Sequence, residues 1–154
     1  MSRTTEILDS SSGDHRSRLV RTRLLLYAGG AWVGMVVLAI VNAGFREALI
    51  TPSAGEYAAH VISTATLLIL LAAYVYVYFR RMPIHTGREL AVVGVLWAGL
   101  TVAFEFLFGH YVAGESWADL LALYDVTQGN VWVFVPLFLL VAPTVFGRHL
   151  SRSR

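Results

Sequence analysis

Four long apolar runs divide the chain: Leu24 to Phe45, Val61 to Phe79, Leu90 to Phe108 and Val131 to Phe146. The first two carry no charge, and the third carries only Glu105. At about 1.5 Å of rise per residue, runs of this length match the hydrocarbon core of a bilayer. The fourth is shorter and holds Pro136 and Pro143. Membrane helices tolerate proline where neighbours satisfy the freed carbonyls, so a kinked fourth span is expected. The pattern predicts an all-α integral membrane protein: one four-helix bundle over residues 19–150, with spans near 24–45, 61–79, 90–108 and 131–146. Residues 1–18, rich in Ser and Thr and without periodicity, read as a disordered tail, and 151–154 as a second tail.

Between spans three and four a shorter pattern appears. Ser116 followed by Asp119 has the spacing of a capped helix start. Trp117, Leu120, Leu121 and Tyr124 recur at i, i+3, i+4 and i+7, which predicts a short amphipathic helix lying over the bundle mouth. Span one holds Gly30 and Gly34 at a small-xxx-small spacing that admits close approach of another helix. In span three Gly94, Ala98, Thr101 and Glu105 share one stripe, so Glu105 should face protein rather than lipid. Tyr74, Tyr76, Tyr78 and Phe79, and the rings from Phe104 to Tyr111, read as interfacial belts.

Composition agrees: 56% of residues are hydrophobic, 14% are charged, and the mean hydropathy is +0.62. An ordinary soluble domain carries about a quarter charged residues, so a disordered chain and a cytosolic globule are excluded. There is no cysteine, which removes disulfides, thiolate metal sites and cysteine catalysis. The pI near 9.2 suggests nucleic acid until the basic residues are placed. All twelve are arginines, a usage that points to a prokaryotic source. Eleven lie before span one, between spans two and three, or after span four; only Arg46 lies elsewhere. The positive-inside rule then puts both termini in the cytoplasm, in an inner membrane, with no nucleic-acid partner. The first run exceeds a signal-peptide core of about 7–15 residues, so an uncleaved span is expected.

Candidate chemistry gathers at the outer end: Asn42, Arg46, Glu47, Glu56, His60, Thr64, Glu105 and His110. Arg46 is expected to pair with Glu47, Glu56 or Glu105. A carboxylate among Phe104, Phe106 and Phe108 is costly unless paired, protonated or wet, which singles out Glu105. Three chemistries use such residues. Glu56, His60, Glu105 and His110 offer imidazole and carboxylate to a divalent metal. His60 and His110 offer two axial ligands to haem b. Glu105 offers a proton-coupled or ion-binding site to a small transporter.

No family assignment follows. Asn42–Glu47 shares residue types with the arginine-bearing helix of the MAPEG glutathione enzymes, but in another order and spacing. Small four-span multidrug exporters keep a key glutamate in the first span, where this chain has none, and disulfide-forming quinone reductases need cysteines. The expected function is a non-catalytic subunit or accessory protein. Its outer cluster would bind a lipid or quinone headgroup or another membrane-protein subunit, and no cofactor is required.

Overall fold

The computed structural model describes residues 3–82 and 86–152, with side chains described for 22–82 and 86–151. Every regular element among the described residues is helical. Helix α1 (Arg3–Phe45) passes through a π-helical turn (Arg46–Ile50) into α2 (Thr51–Ala54). Then come α3 (Glu56–Arg81), α4 (Gly87–Tyr111), α5 (Trp117–Ala122), a 3-10 turn (Val126–Gln128) and α6 (Phe134–Arg152). Four segments are long and apolar enough to cross a membrane: Thr22–Ala54, Glu56–Arg81, Gly87–Tyr111 and Phe134–Ser151.

The helices outrun the apolar runs that announce them. The first continues to Ala54 and stops at Gly55, whose φ of +79° lies in the left-handed region that glycine enters freely. That single residue connects it to α3. Helix α4 starts early because Thr86 and Glu89 form a reciprocal capping box. In α6 Pro136 falls in the first turn, where its missing N–H has no intrahelical acceptor to lose; only Pro143 lies inside the helix. From Arg3 to residue 18 the backbone is helical, where the composition predicts no element. Propagation from an established helix adds one hydrogen bond per residue without a new nucleus. Residues 1, 2, 153 and 154 of the expected tails, and Pro83 of the central linker, lie outside the described residues.

Side-chain contacts set the packing. Asn42 meets Ser63 and Gly34 meets Tyr74, so α1 and α3 run antiparallel. Trp32 bonds Thr101 and Trp97 bonds the Ala28 carbonyl, so α1 and α4 run parallel. Gly94 lies on the Leu140 carbonyl and Gly147 on Leu90, so α4 and α6 are antiparallel. Around the bundle the order is α1, α3, α6, α4. The α1–α3 and α4–α6 connections therefore share one end, called the cap end below.

Of the Gly30–Gly34 pair only Gly34 meets another helix; a Cβ on Gly30 would find open space. The tyrosines expected in an interfacial belt also divide. Tyr74 and Tyr78 pack on the core, Tyr78 edge-on to fully buried Trp97 at 5.5 Å, while Tyr76 stays exposed.

Candidate functional site

A cavity of about 370 Å³ occupies the cap half of the bundle. Its deep wall is apolar, with Met35, Leu67, Leu71, Val135 and Leu139. Towards the cap end the wall turns polar, with Asn42, Arg46, His60, Ser63, Thr64 and Glu115, while Thr101 and Glu105 stand deeper, at the level of Trp32 and Met35. A mostly apolar lining with a few placed polar groups is how pockets of roughly 300–1,000 Å³ hold and orient small ligands.

Most polar groups of the wall bond to one another. Asn42 Nδ2 donates to Ser63 Oγ at 2.7 Å and to the Ser63 carbonyl at 3.1 Å. Thr64 Oγ1 donates to the His60 carbonyl at 2.8 Å. Trp32 Nε1 donates to Thr101 Oγ1 at 3.0 Å, which fixes the indole against Phe104 at 5.9 Å. Arg46 gives Nε and Nη2 to Glu47 Oε1 at 3.1 and 2.6 Å, so among its three expected partners it takes the neighbour.

Glu105 faces the protein, half-buried, and its Oε2 accepts the Tyr124 phenol at 2.5 Å. Burial first, and the Glu105 carboxylate second, hold the Tyr124 phenol above the ordinary tyrosine range, so it remains a donor. Trp132 Nε1 stands beside this pair, buried and outside hydrogen-bond geometry. His60 Nε2 is likewise buried without a hydrogen-bond partner among the described residues. An unmade bond to a buried polar atom costs about 1–3 kcal/mol, so both positions invite a partner.

The cap is built from the α4–α6 connection. Ser116 accepts the Asp119 N–H and starts α5. Leu120 is fully buried against Gly109, where a Cβ would collide with it. Leu121, expected on the same face, is 61% exposed, because α5 ends at Ala122 and covers the cavity with less than two turns. Tyr124 therefore reaches Glu105 from the turn that follows the helix. Asn130 closes the connection by donating to the Ala122 carbonyl at 2.7 Å. Asp125 caps the 3-10 turn, and bonds from Thr127 and then Gln128 hold its carboxyl below the usual carboxylate range.

Five of the eight candidate residues line one cavity: Asn42, Arg46, His60, Thr64 and Glu105. The other three do not. Glu47 points its carboxylate at Arg46, and Glu56 is exposed at the start of α3. His110 shares a hydrogen bond of 2.8 Å with the Glu115 carbonyl and stacks on Trp117 at 4.1 Å. Among the described residues, no group of three or more His, Asp or Glu side chains is placed to hold a metal ion. Of the two histidines offered to haem, His60 lines the cavity and His110 does not.

Sequence reading missed Tyr124 and Trp132 as neighbours of Glu105. Periodicity puts Tyr124 on the amphipathic face of the connection, and nothing in it pairs that residue with Glu105, nineteen residues earlier. Trp32 and Thr101 also escaped, since neither is charged and their pairing depends on the parallel run of α1 and α4. Searches against protein-family models, curated proteins and solved structures find no match to this chain, so the site rests on its own geometry.

Proposed function

We propose that this chain is an accessory protein of a prokaryotic inner membrane that holds a small membrane-resident amphiphile in its cap-end cavity. The observation that carries the reading is the cavity itself: a volume of about 370 Å³, largely apolar with a few polar groups, lined by residues from α1, α3, α4 and α6. Both termini are cytoplasmic, the cap end faces outward, and α5 lies over the outer mouth of the bundle. The distribution of arginines supports this orientation, since Arg46 is the one arginine at the cap end. A mostly apolar lining with a few placed polar groups supports a binding role. Extracted in a mild detergent, the protein should retain a small amphiphile visible by native mass spectrometry, and the same spectrum reads any partner subunit.

The absence of cysteine gives a clean test of orientation. Ser53, exposed in α2, and Ser151, near the end of α6, lie at opposite ends of the bundle. In intact cells a membrane-impermeant maleimide should label Ser53→Cys and leave Ser151→Cys unlabelled until the cells are opened. The reverse pattern would invert the topology.

A further inference from the structure

The charges in the cavity wall do not balance. Arg46 is its one guanidinium, and two of its nitrogens already bond Glu47, a residue outside the wall. His60, the other nitrogen base of the wall, has its Nε2 buried without a hydrogen-bond partner among the described residues, so it does not pair with Glu105. Glu105 and Glu115 remain, and among the described residues no basic side chain pairs with either. The hydrogen bond to Glu105 Oε2 comes from a neutral phenol.

Aromatic rings share the cavity wall with Glu105. Phe104 stacks on Phe108 at 5.3 Å and meets Trp32 edge-on at 5.9 Å, and all three rings belong to the cavity wall. The Thr101 bond keeps the Trp32 indole in place. A carboxylate without a matched base, in a cavity wall that also carries aromatic rings, is complementary to positive charge. Coulomb attraction and the ring quadrupoles then act on the same ligand. An anion meets repulsion there, and a neutral ligand leaves the carboxylate unanswered.

We propose that the ligand of the cap-end cavity is a lipophilic organic cation, of the quaternary ammonium or phosphonium class, with Glu105 as its counter-charge and Trp32 and Phe104 as its ring wall. This rests on the cavity being the binding site. Tyr124 competes with the ligand for the same carboxylate.

The test uses the full chain in phosphatidylcholine nanodiscs, with binding to empty discs subtracted. Three probes are titrated: tetraphenylphosphonium, its anionic isostere tetraphenylborate, and neutral decylubiquinone. Tetraphenylphosphonium should bind saturably and tetraphenylborate should not. Glu105→Gln should weaken the cation roughly 10- to 100-fold, the range of an interaction with a charged group. Tyr124→Phe frees the carboxylate, so affinity should hold or rise; a fall comparable to that of Glu105→Gln would make the pair structural and overturn the proposal. Saturable binding of the borate or the quinone, undisturbed by Glu105→Gln, would overturn the cation and keep the cavity. Binding of no probe would remove the cavity reading as well.

Discussion

Gly94→Ala should lower the thermal midpoint of the detergent-solubilised protein, while Gly99→Ala, one and a half turns along the same helix, should not. A Cβ on Gly94 would sit on the Leu140 carbonyl oxygen, and the atom in the way is backbone. Relief needs α4 and α6 to separate, and these two helices also meet where Gly147 packs on Leu90. Overpacking of this kind costs about 1–3 kcal/mol, and the upper end is expected where no rotamer change gives relief. At Gly99 a Cβ meets nothing within 4 Å, so alanine there brings only its helix propensity, a gain of up to about 1 kcal/mol. The contrast isolates the contact from the loss of glycine. Equal midpoints for the two variants would mean that α4 and α6 do not touch at Gly94.

The second large effect is expected at Trp97. Its side chain is fully buried, and its rings meet Tyr78 at 5.5 Å and Phe79 at 6.1 Å. Its Nε1 donates to the Ala28 carbonyl at 2.8 Å, tying α4 to α1. Trp97→Ala removes both the packing and the bond, and a large-to-small change at such a site costs about 3–5 kcal/mol. Trp97→Phe keeps a ring in the core and loses the hydrogen bond, a net cost nearer 1 kcal/mol. Thermal denaturation followed by near-ultraviolet circular dichroism separates the two. A Trp97→Ala protein as stable as the parent would place Trp97 outside the core.

The bundle was legible because membrane helices announce themselves by length. Four apolar runs correspond to four helices, and the i, i+4, i+7, i+11 spacing of Gly94, Ala98, Thr101 and Glu105 was enough to turn Glu105 towards protein. Their ends were not legible, since hydropathy reports where lipid would stop and not where hydrogen bonding does. Thr86 and Glu89 carry the spacing of a capping box, a signal that was present and passed over beside Pro83 and Gly87. No comparable signal marks the π-helical turn at Arg46–Ile50.

The site was half legible. Polar residues near one end of three spans could be gathered by depth alone, and five of them do line one cavity. Depth does not give rotation about the helix axis. Glu56 and His60 lie four apart, yet only His60 reaches the wall. Partners from the connecting segment, Tyr124 and Trp132, depend on tertiary folding that a one-dimensional pattern does not hold.

The cavity is tested most directly by filling it. Ala39 lies in its wall on α1, so Ala39→Phe puts a ring into the empty volume while leaving the polar residues of the wall in place. Parent and variant, extracted in the same mild detergent, are compared by native mass spectrometry. The parent should carry a small amphiphile at about one per chain, and the variant, equally monodisperse, should retain at least about tenfold less, since a filled pocket no longer buries the ligand's surface. Equal retention by a folded Ala39→Phe protein, or none by the parent, would contradict the binding function.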